Sequence, residues 1–176
     1  MTREARLMSG IILITVPTIQ YGGYFLLTSL MNKSSGYMDN PLRQNFFRAG
    51  HAHAGVIVIL SLVCQLLADA AMLPDALVWL ARLAVPLAAV LIPIGFFFAV
   101  LRPNASEAGS AVNFIYVGAI SLAVGVLTLG VGLLRSLWVA LCDSLSLRDA
   151  RDQPNHLSAI AQIHTELMAT CRTAMH

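Results

Sequence analysis

Long apolar runs dominate the chain. They occupy about 7–30, 46–71, 76–101 and 110–139. Each run exceeds the roughly 20 residues that a helix needs to cross the hydrocarbon core of a bilayer. Lipid offers no partner to backbone N–H and C=O groups, so each run is predicted to be a helix. None alternates polar and apolar residues as a membrane barrel strand does. The pattern therefore predicts an all-α integral membrane protein with four spans.

Short connections separate the four runs. They are a polar loop at 32–45, a tight turn at 73–75 and a loop at 102–109. Short connections make consecutive helices antiparallel neighbours, which predicts an up-down four-helix bundle over residues 1–142. Residues 143–176 are predicted to form a polar linker and an amphipathic tail helix. The tail helix is expected either to lie at the membrane interface or bind a partner, or to pack on the cytoplasmic end of the bundle.

Composition supports the assignment to the membrane. The chain is 57% apolar and 11% charged, with a mean hydropathy of +0.74, whereas soluble domains carry roughly 25% charged residues. A net charge of +2 is too small to indicate nucleic-acid binding. The positive-inside rule favours cytoplasmic termini, with six basic residues on the terminal side and four on the other. These are Arg3, Arg6, Arg82, Arg135, Arg148 and Arg151 against Lys33, Arg43, Arg48 and Arg102. The expected location is the plasma (inner) membrane.

Polar side chains from three spans are expected to share one half of the bilayer. They are Gln20, Tyr21 and Tyr24 of the first span, His51 and His53 of the second, and Asn113 and Tyr116 of the fourth. Polar groups inside a membrane tend to face the bundle interior or water. The cluster is therefore interpreted either as interhelical hydrogen bonding or as the lining of a cofactor cavity. Near the tight turn, Asp69 and Arg82 are expected to form an ordinary interfacial ion pair.

The segment RAGHAHAG, residues 48–55, places two imidazoles among Ala and Gly at the end of the second span. Histidine is a common ligand of metals and haem. Small neighbours such as Gly55 would let a flat group or another helix approach closely. His51 and His53 are two residues apart, which is about 200° around a helix, so they cannot both bind one metal from a regular helix. Either one ring faces inward, or the first turn is not helical.

Residues 46–62 resemble helix two of subunit I in the haem–copper oxidase and nitric oxide reductase superfamily. In that family a histidine near the outer end of this helix ligates the low-spin haem. The resemblance implies a haem ligated by His51 or His53. Together with the expected depth of the polar side chains, it predicts haem b or a transition metal at one of these histidines, with Gly55, Gln20, Tyr21, Tyr24 and Asn113 around it. The third and fourth spans contain no histidine, so a bis-histidine haem between two spans is not available. Three arrangements remain. They are a five-coordinate haem, a haem or metal shared across a homo-oligomer, and a haem with a tyrosine or methionine as its second axial ligand.

Three functions follow from these observations. The first is a small haem- or metal-binding membrane protein that serves electron transfer or gas binding with a larger complex. The second is a cofactor-free accessory or assembly subunit, in which the histidines form hydrogen bonds that close the first loop. The third is a small transporter or channel gated by the polar cluster. The chain shows no phosphate loop and no nucleophile constellation, so a self-contained enzyme is not expected. The expected partners are the lipid bilayer and other membrane subunits or further copies of the chain.

Overall fold

Four long helices build the structure. The computed structural model describes residues 1–32, 36–152 and 165–166, with side chains described up to 147 and at 165–166. The helices are α1 (Arg3–Met31), α2 (Pro41–Leu67), α3 (Asp75–Ala99) and α4 (Val112–Asp152). All four are long and apolar enough to cross a membrane. Within the described residues, the predictions of an all-α class and of four helices long and apolar enough to span a membrane are confirmed. The predicted tail helix lies outside the described residues, apart from Thr165 and Glu166.

Local capping sets the helix limits, which differ from the ends of the apolar runs. Thr2 caps α1, its side chain accepting a hydrogen bond from the Ala5 N–H at 3.2 Å. Asn40 caps α2 in the same way and Pro41 follows at the first helical position, so α2 starts five residues before the apolar run. The helix α4 continues to Asp152, well past position 139, where the apolar run ends.

Contacts between consecutive helices join residues near the start of one helix to residues near the end of the other. Thr2 at the start of α1 meets Asp69 after α2, and the rings of Phe25 and Phe47 lie 5.8 Å apart near the other end. Between α2 and α3, Gln65 bonds to Arg82. We call the end that holds the α2–α3 turn, residues 68–74, the turn end. The opposite end, which holds residues 36–40 and 100–111, is the loop end.

Small residues of α3 and α4 allow these two helices to pack closely. A Cβ added at Gly95 would lie 2.5 Å from Cγ1 and 2.8 Å from the backbone nitrogen of Ile115. At Gly118 it would lie 2.6 Å from Cγ1 of Ile92. The Ser121 hydroxyl also donates to the Ala84 carbonyl oxygen across the same contact, at 2.8 Å. The small-residue face of α4 therefore serves packing within the chain.

The helix α1 is the least buried of the four. It packs on α2, α2 packs on α3, and α3 packs on α4, while α1 has at most marginal contact with α3 or α4 within the described residues. Its span is 11% buried, against 39% for the span of α2. The helices α2, α3 and α4 share one core cluster, to which Cys64, Val85 and Leu129 belong, whereas one side of α1 is left open.

Replacing Gly95 with alanine is expected to destabilise the fold by about 1 to 3 kcal/mol, because α3 and α4 must separate to admit the methyl group. The unfolding free energy in detergent micelles measures this. The matched control is Gly130→Ala, since a Cβ at Gly130 meets nothing within 4 Å. Equal stability of the two variants would contradict close α3–α4 contact at Gly95.

Candidate functional site

His51 lies between α1 and α2. The helix α2 is continuous from Pro41 to Leu67, so the first of the two sequence alternatives applies and the imidazoles point to different sides. The His51 ring is partly buried and its nitrogen-bearing edge faces two glycines of α1. A Cβ added at Gly23 would lie 3.3 Å from Cε1 and Nε2 of His51, and one added at Gly22 would lie 3.6 Å from Nδ1. The two glycines thus make the room that this ring occupies.

An apolar groove of about 280 Å³ extends from His51 toward the turn end. Its floor is α2, including Ala54, Val58 and Ser61, and its walls are α1 and α3. From His51 to Ser61 the groove follows ten residues of helix, about 15 Å at 1.5 Å per residue. Pro93 lines the same groove. A proline has no N–H, so it leaves the Ala89 carbonyl without its usual helical donor.

The hydroxyl groups along the groove are directed to their own helices. Thr15 donates to the Ile12 carbonyl at 2.6 Å, Thr18 to the Thr15 carbonyl at 2.6 Å, and Ser61 to the Ile57 carbonyl at 2.7 Å. None of these donors is left for a ligand. Within the described residues, no hydrogen bond joins the ring nitrogens of His51 to another protein group, so His51 is the polar anchor that the groove offers.

His53 faces the other side of α2. Its Nδ1 lies 2.7 Å from the Ala49 carbonyl oxygen, and its ring lies 5.1 Å from that of Phe96. A carbonyl oxygen only accepts hydrogen bonds, so Nδ1 carries the proton in this contact, and Nε2 of the neutral ring is an acceptor. The residue is exposed and lies outside the groove. A metal or haem bound by His53 would therefore sit on the lipid-facing surface.

The other residues predicted for the site do not surround His51. Gln20, Tyr21 and Tyr24 of α1 and Asn113 of α4 are exposed, and none of them lines the groove. The tyrosine rings lie 6.5 Å from each other, and a Cβ at Gly55 would meet nothing within 4 Å. Gln20, Tyr21 and Tyr24 lie on exposed sides of α1 because, within the described residues, this helix packs chiefly on α2. The contacts that the sequence reasoning missed are Gly22 and Gly23, an adjacent glycine pair inside an apolar run.

A second polar centre joins three helices at the turn end. The Arg82 side chain is only 4% exposed, and its guanidinium donates to the Asp69 carboxylate at 2.6 Å and to the Gln65 backbone carbonyl at 3.0 Å. Asp69 also accepts hydrogen bonds from the Thr2 N–H and hydroxyl, both at 2.8 Å. The sequence predicted an ordinary interfacial pair here. The structure forms this pair but buries its cation among α1, α2 and α3, in a cluster we call the joint.

Pro86 explains why Gln65 belongs to the joint. Without an N–H on residue 86, the Arg82 carbonyl loses its helical donor. The Gln65 side-chain amide donates to that carbonyl at 2.8 Å, and Gln65 is fully buried. In hydrocarbon a backbone acceptor without a donor is costly. The glutamine of α2 therefore replaces the hydrogen bond that the proline of α3 removes.

Asp69 lies two residues beyond the last residue of α2, and its surroundings shift its pKa. Burial acts to raise the pKa of Asp69, but hydrogen bonds from Arg82 and Thr2 and the charge of Arg82 outweigh it and lower the pKa from 3.8 to about 2. The carboxylate is consequently ionised throughout the physiological range.

The donor set within the described residues does not include three His, Cys, Asp or Glu side chains placed to hold a metal ion together. His51 and His53 are separated by the helix, and Cys64 is buried deeper in α2. A bare metal ion would therefore find one protein ligand at either imidazole, fewer than the three or four of typical sites.

The chain matches no protein-family model, no curated protein and no solved structure.

The role of Gln65 predicts a coupling between two substitutions. Gln65→Leu should cost about 1 to 3 kcal/mol of unfolding free energy, because the Arg82 carbonyl is left without a donor. In a Pro86→Ala background the helical N–H is restored, so the same substitution should cost less. A double-mutant cycle of unfolding free energies measures the difference. An identical cost in both backgrounds would contradict this role.

The lowered pKa of Asp69 predicts the acid limit of the joint. A carboxyl group whose pKa is lower in the folded state adds stability above its unfolded value, and that stability is lost as the pH falls through its folded value. Thermal stability should therefore fall between about pH 4 and pH 2, and Asp69→Asn should flatten this dependence while lowering stability at pH 6. Glu107→Gln, in an exposed loop, is the control. If Asp69→Asn kept the wild-type dependence of thermal stability on pH, Asp69 would not be the group that sets the acid limit.

Proposed function

We propose that this chain is a multi-pass membrane protein that binds haem, with His51 as the iron ligand and the adjoining groove as the apolar surroundings. The observation that carries the proposal is the imidazole of His51, which within the described part of the chain has no hydrogen bond to protein and lies at the end of an apolar groove between membrane-length helices. Polar side chains at such depth are costly and mark functional sites. The resemblance of residues 46–62 to a haem-ligating helix supports the same choice.

The donor set favours haem over a bare metal ion. A porphyrin supplies four ligands of its own, so one imidazole completes a five-coordinate iron. No tyrosine or methionine is needed for this arrangement, which agrees with the exposed positions of Tyr21 and Tyr24. The homo-oligomeric alternative would instead use the exposed His53.

Gly22 and Gly23 supply the room for a flat ligand beside His51. The nitrogen-bearing edge of His51 faces these glycines, so a haem at Nε2 requires α1 to withdraw from α2. Only 11% of the α1 span is buried, which limits the area that this withdrawal exposes. The smooth glycine surface then lies opposite the ligand.

The chain's own residues would perform three tasks. His51 binds and orients the group, the walls of the groove exclude water, and the self-bonded hydroxyls of Thr15, Thr18 and Ser61 leave the surroundings without competing donors. When bound, a haem with one protein ligand supplies electron transfer or binding of a diatomic gas at its open position. Both uses call for a partner that delivers electrons or consumes the product, so we propose a role in a larger membrane complex.

The proposed topology is an up-down four-helix array in the plasma (inner) membrane with cytoplasmic termini. The opposite order of the paired residues in neighbouring helices supports it, as does the excess of basic residues on the terminal side. The amphipathic tail is proposed to bind the cytoplasmic membrane surface or a partner subunit.

A cofactor-free accessory subunit is the second candidate. His51 packs against Gly22 and Gly23, which favours the accessory subunit. A ring that fills the space above two glycines also serves to pack two helices together. In that case the groove holds ordinary lipid chains.

An absorption spectrum of the protein purified with haem available, before and after dithionite, tests the proposal. A Soret band should be present in the wild type, be lost in His51→Ala, where no protein ligand remains at the groove, and persist in His53→Ala, the matched control from the same helix. Loss of the band only in His53→Ala would move the ligand to the lipid-facing surface. A wild type with neither a band nor iron would favour the accessory subunit.

A further inference from the structure

We propose that α1 binds a second copy of this chain within the membrane, and that the two Gln20 side chains meet at the centre of the contact. The surface involved is formed by Leu13, Pro17, Gln20 and Tyr24, which we call the outer stripe. The proposal concerns the assembly of the protein and does not depend on a bound haem.

The outer stripe runs along one face of α1. Its members follow one another at intervals of four, three and four residues, the spacing that places side chains on one side of a helix. All four are exposed in the single chain, Leu13 to 56% and Tyr24 to 63%. None of them lines the groove. The stripe is therefore a surface of α1 separate from the one that faces His51.

Gln20 lies near the middle of its span. The apolar run of α1 covers about 7–30, and its midpoint is about 2 Å along the helix from Gln20, at 1.5 Å per residue. The side chain is exposed, and no hydrogen bond joins it to another group of the described residues. A carboxamide has two N–H donors and an acceptor oxygen, and hydrocarbon satisfies neither. Polar side chains at this depth almost always face protein or a water-filled cavity, so we expect a protein surface to cover Gln20.

Two further polar groups lie along the stripe, one on each side of Gln20. Pro17 has no N–H, so it leaves the Leu13 carbonyl without its usual helical donor. The Tyr24 hydroxyl is both a donor and an acceptor. Amides and hydroxyls form hydrogen bonds between helices in membranes. All three groups are therefore served by one occupant, a helix packed along the stripe.

The chemistry of the stripe fits a second copy of α1. Two copies inserted with the same topology are related by a two-fold axis, and residues beside that axis meet their own equivalents. Such a contact needs groups that complement themselves. A carboxamide pairs with a carboxamide and a hydroxyl with a hydroxyl. Between Arg6 and the end of α1 at Met31 there is no charged side chain, so no like charges are brought together.

Disulfide cross-linking in the membranes of expressing cells tests which side of α1 meets the second copy. The three native cysteines are replaced by alanine, and Leu13→Cys is compared with Ile14→Cys. These positions are neighbours in depth and are exposed to 56% and 79%, but only Leu13 belongs to the stripe. Because a disulfide needs Cα atoms within about 7 Å, the yield of cross-linked dimer should be about fivefold higher at position 13.

Three results of the cross-linking would overturn the proposal. They are equal yields at the two positions, a higher yield at position 14, and no cross-link at either position. The last result would leave the stripe to a membrane subunit other than a second copy.

Energy transfer between donor-labelled and acceptor-labelled copies, measured as the protein is diluted with lipid, gives the strength of the contact. Gln20→Leu should raise the dissociation constant of the dimer about 3- to 30-fold, the range of interhelical hydrogen bonds in membranes. Asn113→Leu is the matched control, because Asn113 is also an exposed amide but lies at the second residue of α4, near the end of its span. The same shift in both variants, or no shift in Gln20→Leu, would contradict a central role for Gln20.

The absorption spectrum of the same preparations separates this proposal from the proposed function. Dimers that form without a Soret band support the contact and overturn only the haem assignment. A Soret band in a chain that stays monomeric at every dilution overturns only the contact.

Discussion

Hydrocarbon gives no hydrogen bonds, and this constraint governs the polar interior of the protein. Every backbone N–H and C=O group inside a span must find a partner within the protein. Pro86 removes one helical donor, Gln65 of the neighbouring helix supplies another, and Arg82 is held in return by the carbonyl of Gln65. The joint is the consequence of this exchange, and Thr2 and Asp69 extend it to α1.

The same constraint singles out His51. Groups that have partners in the described residues stabilise the array, as Ser121 does between α4 and α3. His51 has none, although it lies in the span of α2 and lines an apolar groove. A neutral imidazole carries one N–H donor and one acceptor, and within the described residues the edge of His51 that bears them packs against Gly22 and Gly23.

Much of the fold could be predicted from the length of the apolar runs. Run length is directly readable, so the four helices and their class followed from the sequence. The placement of side chains around each helix did not follow, because it depends on which neighbours a helix has. Tyr21 and Tyr24 were expected to face His51, but α1 packs chiefly on α2 and turns Gly22 and Gly23 toward that ring. Similarly, Asp69 and Arg82 could be recognised as a pair, whereas burial of Arg82 depends on Pro86 and Gln65 together.

The most direct test of the central claim is the imidazole ¹⁵N spectrum of histidine-labelled protein in nanodiscs, with and without zinc protoporphyrin, which takes one axial ligand. The account predicts a coordination shift at the resonance that His51→Ala removes, and no shift at the resonance that His53→Ala removes. A shift at His53 alone, or at no histidine of the chain, would contradict it.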